Sequence, residues 1–146
     1  MKMQFALAAA AAILAGPVFG QEATGDPAAG EKVFNRVCAV CHVVVNDAGE
    51  TVAGRNAKVG PNLFQMPGRH AGAMEGFKYS KLMTEAGEKG LIWTEDEVVK
   101  YVPDPTSFLR EYTGDPEGRG LMTNQRVKEE DIRNVYAFIA SFGVHE

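Results

Sequence analysis

Cysteine is nearly absent from the 146-residue chain: there are two, Cys38 and Cys41, with only two residues between them. Exported proteins commonly use cysteines to staple distant loops, and a pair this close cannot do so. Positive charge is also scarce. Fifteen Lys and Arg stand against 19 Asp and Glu, a formal net charge of −4, and no basic run occurs. The sequence therefore lacks the electrostatic footprint of a nucleic-acid-binding protein. No segment repeats. The one long apolar run, Phe5 to Val18, covers roughly 15 residues and falls short of the ~20 that span a bilayer.

That run follows the single positive charge of Lys2 and is broken by Gly16-Pro17. Val18-Phe19-Gly20 then places small residues at the minus-three and minus-one positions of a cleavage site. The layout predicts a secretory signal peptide over 1–20, cut between Gly20 and Gln21. The remaining domain, 21–146, is more acidic by one unit through the loss of Lys2 and is expected in the periplasm. A domain of this size has a modest core, to which a large buried cofactor could contribute.

Helical signals dominate the rest. Asp26-Pro27 is a helix start, with Asp as N-cap and Pro at the first position; Ala29, Val33, Phe34 and Val37 follow at helical spacing, predicting a helix over 27–38. Val43-Val44-Val45 ends at the turn signal Asn46-Asp47-Ala48-Gly49. Thr51-Val52-Ala53 either pairs back as a hairpin or continues as irregular loop. Residues 53–81 are rich in glycine and predict loop. A helix is expected within 79–90, around Leu82, Met83 and Ala86. Another starts at the capping box Thr94…Glu97 and is stopped by Pro103 and Pro105. A short turn of helix is expected over 106–112. The clearest helix covers 128–142, with an acidic start at Glu129-Glu130-Asp131 and Ile132, Val135, Tyr136, Phe138, Ile139 and Phe142 on its apolar side. Several modest helices with long connecting loops predict an all-α domain in which the loops wrap a cofactor.

Cys38-Ala39-Val40-Cys41-His42 is the motif that carries chemistry. Thiols three residues apart lie on one turn of helix, where both can bond to one edge of a haem while the adjacent imidazole reaches the iron. Cys-x-x-Cys-His is the haem-attachment pattern. A thioredoxin-like redox pair would need a preceding strand and a parallel sheet. A structural zinc site would need further ligands, but the remaining histidines, His70 and His145, are distant in sequence. A disulfide closing so small a loop would stabilise little. The motif therefore predicts one covalently bound haem c with His42 as an axial ligand. Candidates for the opposite side are His70, His145, Met66, Met74, Met83 and Met122. Met122 lies in Gly120-Leu121-Met122-Thr123, a loop just before the last helix that could fold over the face opposite His42.

With these residues in place, the chain over 25–143 resembles the class I c-type cytochromes, most closely the larger, loop-inserted bacterial cytochromes c2. Gly30-Glu31-Lys32-Val33-Phe34 is similar to the family's first-helix glycine and aromatic, which pack on the last helix, here on Val135 and Phe138. Gly60-Pro61-Asn62-Leu63 resembles the segment whose proline carbonyl accepts the histidine ring N–H. Arg69 resembles an arginine near a haem propionate. Trp93 and Tyr101 match a propionate-side tryptophan and a tyrosine near the methionine ligand. The resemblance implies that Met122 is the second axial ligand and that the fold is the class I cytochrome c fold.

It further implies a monomeric electron carrier with no small-molecule substrate, not an enzyme. Its donor would be a cytochrome bc1 complex, and its acceptor a photosynthetic reaction centre or a terminal oxidase of the respiratory chain. Relatives carry lysines around the methionine, whereas this chain has Leu121 and Asn124 there. Arg36, Arg119, Arg126 and Lys128 are the positive charges expected to orient an acidic partner. Two alternatives remain: an isoform dedicated to another redox partner, and a haem protein with an open iron site that binds gases or acts as a peroxidase.

Overall fold

The protein is described here by a computed structural model covering residues 22–146. The signal segment expected over 1–20 lies outside the described residues. Among the described residues, five helices and one small hairpin make up the regular structure: α1 (Pro27–Val37), β1 (Val44–Val45), β2 (Thr51–Ala53), α2 (Lys81–Glu88), α3 (Glu95–Tyr101), α4 (Pro105–Thr113) and α5 (Glu129–Ala140). A 3-10 turn over Cys38–Val40 follows α1 directly.

Most helix starts have the chemistry their sequences announce. The Asp26 carboxylate accepts from the amides of Ala28 and Ala29, with Pro27 occupying the first turn, where its missing N–H costs nothing. Ser80 and Thr94 cap α2 and α3 through their hydroxyls. Half of the expected capping box at Thr94 forms: its hydroxyl accepts from the Glu97 amide, while the Glu97 carboxylate turns outward to Lys100 at 3.0 Å. Pro105 also differs from expectation. It opens α4 at its first position, with Asp104 as the cap, and α3 has already ended at Tyr101. The hairpin alternative is the one realised, with Val44 opposite Ala53 and Val45 opposite Thr51 across an irregularity in the ladder.

α1 crosses α5, and this contact organises the core. Phe34, fully buried, meets Phe138 at a ring-centroid distance of 5.5 Å. Gly30 is what lets the helices approach: a Cβ there would lie 1.9 Å from the Asn134 carbonyl oxygen and 2.9 Å from Phe138 Cβ. The expected contact thus falls on Phe138 and on the backbone of Asn134, one residue before Val135. Asn134 also accepts the Asp26 amide at 2.7 Å through its side chain, tying the start of α1 to α5. Arg133 closes the same end of the molecule, lying 2.8 Å from Glu129, 3.1 Å from Asp96 and 3.6 Å from the buried Glu95. The long loops 54–80 and 114–128 contribute to the core through Met66 and Ala71, with Phe64, Tyr79, Met122 and Val127 packed against it.

Candidate functional site

The 3-10 turn after α1 presents the cysteine motif. Amides of Cys41 and His42 both donate to the Cys38 carbonyl, at 3.1 and 2.9 Å, which coils the two thiols and the imidazole into one turn. Segment 60–63 runs alongside, joined to this turn and its continuation by successive hydrogen bonds. Gly60 N–H donates to Cys41 O at 2.8 Å, and Leu63 N–H to Val43 O at 2.9 Å. Asn62 acts as a buckle: its side chain accepts from Val45 N–H at 2.9 Å and donates to Val45 O at 2.8 Å.

Between these bonds, His42 Nδ1 lies 2.9 Å from the Pro61 carbonyl oxygen. A carbonyl can only accept, so Nδ1 carries the proton and Nε2 keeps a free lone pair. Burial holds the imidazole below its ordinary pKa, partly offset by the Pro61 bond, so the ring is held neutral. Gly60 makes the close approach possible, because a Cβ there would sit 2.3 Å from His42 Cε1.

Both cysteines are unpaired and half-buried. Burial, with Cys41 beside it, pushes the Cys38 thiol up to about 11. A thiol held protonated is the opposite of the activated thiolate that a thioredoxin-type pair requires. Among the described residues, no cluster of three His, Cys, Asp or Glu side chains could hold a metal ion. His70 and His145 are both exposed. The zinc and dithiol alternatives thus lack their surroundings.

The remaining predicted residues have distinct environments. Arg69 is buried, with its guanidinium donating to the carbonyls of Phe64 (2.9 Å) and Asn62 (3.1 Å). It has no carboxylate partner among the described residues. A buried cation without an anion is costly, and a haem propionate would supply the missing charge. Trp93 and Tyr101, both buried, pack with ring centroids 4.8 Å apart. Met122 is half-buried against the hydrophobic core, whereas Met66 and Met83 are core residues.

The loop bearing Met122 is strapped to α3 and α4 at three points. Arg110 Nε donates to Gly118 O at 2.7 Å, Gly120 N–H to the Thr106 hydroxyl at 3.2 Å, and Gln125 N–H to Val102 O at 3.2 Å. Arg36, Arg119, Arg126 and Lys128 are exposed, and none is in an ion pair among the described residues.

Sequence reasoning missed two contributors. Asn62, quoted only as part of a segment, is the side chain that fixes the Pro61 carbonyl in place. Tyr79 is the other. Its half-buried hydroxyl accepts the Met74 amide at 3.2 Å, and burial raises its pKa, partly offset by that bond and by the neighbouring Arg69. An aromatic closing a glycine-rich loop was the available signal. The donor set at Cys38, Cys41 and His42, together with the unpaired Arg69, fits a covalently attached haem.

Comparison with known proteins agrees with this geometry. The family model for cytochrome c matches residues 27–143, and the chain belongs to that family, whose members bind haem c covalently and transfer electrons. Its five helices and minimal strand are those of the class I fold. Within the family the chain is most like cytochrome c2. The cytochrome c2 of Rhodovulum adriaticum is 61% identical over 125 residues, 86% of this chain and 98% of that protein. That of Cereibacter sphaeroides is 53% identical over 146 residues, 99% of each. The crystal structure of cytochrome c2 from Rhodobacter sphaeroides superposes with a TM-score of 0.79 at 52% identity, covering 84% of this chain and 99% of that one.

Proposed function

We propose that the protein is a periplasmic, monomeric electron carrier holding one haem c between His42 and Met122. It would take single electrons from a cytochrome bc1-type complex and pass them to a photosynthetic reaction centre or a terminal oxidase. The observation that carries this reading is the His42–Pro61 bond, because it fixes one tautomer of a neutral imidazole and leaves Nε2 free as a donor on the same turn as both thiols. The haem supplies the one-electron couple.

The chain's own residues do the rest. Cys38 and Cys41 anchor the group through thioethers. Pro61 O holds His42 in one tautomer and strengthens it as a donor. Met122, on its three-point strap, would be the second iron ligand, which would leave no open position for substrates or gases. Arg69, with Trp93 and Tyr79 near it, would receive the propionates, and by the family resemblance Tyr101 would lie near the methionine. Arg36, Arg119, Arg126 and Lys128 orient encounter with an acidic membrane partner, raising the association rate more than the affinity. The export signal over 1–20 delivers the chain to the compartment where such carriers work, and no described helix is long and apolar enough to cross a membrane.

Purified holoprotein tests the reading. Methionine ligation gives the ferric form a near-infrared charge-transfer band and keeps carbon monoxide off the ferrous iron. A missing band with fast carbon monoxide binding would sink the carrier model in favour of an open site. Electron-transfer rates with bc1 complex, reaction centre and oxidase over a range of salt would identify the partner. The dedicated-isoform alternative is favoured if all three react slowly; Leu121 and Asn124 beside Met122 are the residues that motivate it.

A further inference from the structure

The segment bearing Arg69 is paired like a strand without belonging to a sheet. Ala71 N–H donates to Leu91 O at 2.9 Å, Trp93 N–H to Arg69 O at 2.9 Å and Gly68 N–H to Trp93 O at 3.0 Å. Together they make an isolated antiparallel bridge centred on His70 and Ile92. Two paired segments with no third strand are marginal in water. The bridge therefore takes its rigidity from whatever holds its ends.

Different helices hold the two ends. At one, Gly87 of α2 comes so close that a Cβ on it would overlap the Ala71 carbonyl oxygen. At the other, the Tyr136 hydroxyl of α5 donates to Trp93 O at 3.1 Å in a buried bond. Among the described residues this is the only side-chain hydrogen bond from α5 to the bridge. Just beyond α5, His145 N–H adds a bond to Pro67 O at 2.8 Å, beside Gly68. Arg69 lies between these fixed points, and its guanidinium is held in turn by the carbonyls of Phe64 and Asn62.

The phenol at 136 is not needed for packing. A phenylalanine fills the same helix two residues on, at Phe138, and a buried hydroxyl costs free energy unless it is bonded. What the hydroxyl adds is the tie to Trp93. On its other side α5 crosses α1 at Gly30, and α1 runs into the turn of Cys38, Cys41 and His42. One helix is thus joined both to the attachment turn and to the segment of the buried cation.

We propose that Tyr136 is a positioning residue for electron transfer: by holding Trp93 O it fixes the Arg69 segment, and through Arg69 it raises the reduction potential. The inference rests on the haem reading above. The ferrous haem carries one positive charge less than the ferric haem, so a buried guanidinium beside it favours the ferrous state. In a low-dielectric interior that effect is large and depends on distance. Without the Tyr136 bond the Trp93 end of the bridge loosens, Arg69 withdraws towards water, and the ferric state gains.

The test measures the reduction potential of haem-loaded Tyr136→Phe together with its amide hydrogen exchange. Poised at the wild-type midpoint, the variant should show a several-fold lower ferrous-to-ferric ratio. Its Gly68 and Trp93 amides should lose several-fold more protection than those of α1. Asn134→Ala is the control, since it cuts another α5 bond, to Asp26 N–H at 2.7 Å, far from Trp93 in sequence. It should lower the unfolding midpoint and leave the potential at the wild-type value. In an Arg69→Leu background, Tyr136→Phe should shift the potential no further, because groups acting as one unit are not additive. An unchanged potential in Tyr136→Phe, an equal shift in Asn134→Ala, or full additivity with Arg69→Leu would overturn the proposal. The single-variant comparisons decide it even if the double variant does not fold. Failure of the haem reading would show earlier, as protein without covalently bound haem and so with no potential to measure.

Discussion

His42 Nδ1 lies 2.9 Å from Pro61 O, and Gly60, the residue before that proline, has no room for a side chain because a Cβ would come within 2.3 Å of the same imidazole. One segment therefore both bonds to the ring and sets its position. The neighbouring bonds from Gly60 N–H and Leu63 N–H make the support rigid, as a ligand held against a metal requires.

Gly60→Ala is the direct probe of that relationship. The methyl group must displace the ring or the segment, at a cost of about 1–3 kcal/mol for overpacking a close contact. The expected result is a lower yield of haem-loaded protein and a weakened His42–Pro61 bond. Hyperfine-shifted histidine resonances in the ferric NMR spectrum would report it, and unchanged resonances would show that the segment yields freely.

Met122→Ala tests the other side of the iron. With the thioether gone, the sixth position opens, the reduction potential falls and the near-infrared band disappears. The ferrous variant should then bind carbon monoxide. A wild-type spectrum in this variant would remove Met122 from the ligand role and return attention to Met74, which is also half-exposed.

Arg69→Leu removes a buried guanidinium and leaves the carbonyls of Asn62 and Phe64 without their donor. Hydrogen bonds from a charged group contribute roughly 1.5–3 kcal/mol, so a clear drop in denaturant midpoint is expected. Loss of a positive charge beside the haem also favours the ferric state, and the potential should fall. A variant destabilised with its potential unchanged would place Arg69 in the fold but away from the propionates.

Gly30→Ala addresses the helix crossing. The added Cβ would meet the Asn134 carbonyl oxygen at 1.9 Å, a backbone atom that cannot swing aside. α1 must move off α5, and the overpacking cost of about 1–3 kcal/mol sets a lower bound for so rigid a contact. Thermal unfolding of the holoprotein measures it. An unchanged midpoint would mean that the helices separate at no cost.

Alkaline pH should weaken the fold through Tyr136. Its hydroxyl donates to Trp93 O at 3.1 Å, and burial, with Glu95 nearby, pushes its pKa up to about 12. The folded protein thus holds this proton more tightly than the unfolded chain, whose tyrosines titrate near 10. The contribution is complete below pH ~10 and fades as the pH rises to about 12. Tyr101, raised in the same direction, adds to the slope. Tyr136→Phe should flatten the loss over that window and cost about 1 kcal/mol at neutral pH. An identical pH profile in the variant would assign the alkaline transition to other groups.

Much of this was legible in the residue order because the signals are local. The cysteine motif, the Asp26-Pro27 start and the acidic first turn of α5 each act within one turn of chain, so spacing alone identifies them. Helix breaks are less legible. Proline cannot continue a helix and so signals a stop, yet the same locked φ lets Pro105 start the next one, with Asp104 as its cap.

Residue order alone is enough for the helical elements, the haem-attachment motif and a short set of candidate ligands. Which groups meet follows from the packing. The bond between His42 and Pro61, the buckle at Asn62, the three-point strap under Met122 and the tie from Tyr136 to Trp93 all join parts of the chain that are separate in sequence. Their geometry depends on how tightly α1 approaches α5 at Gly30 and on where the loops close over that core, and local propensity carries no information about either.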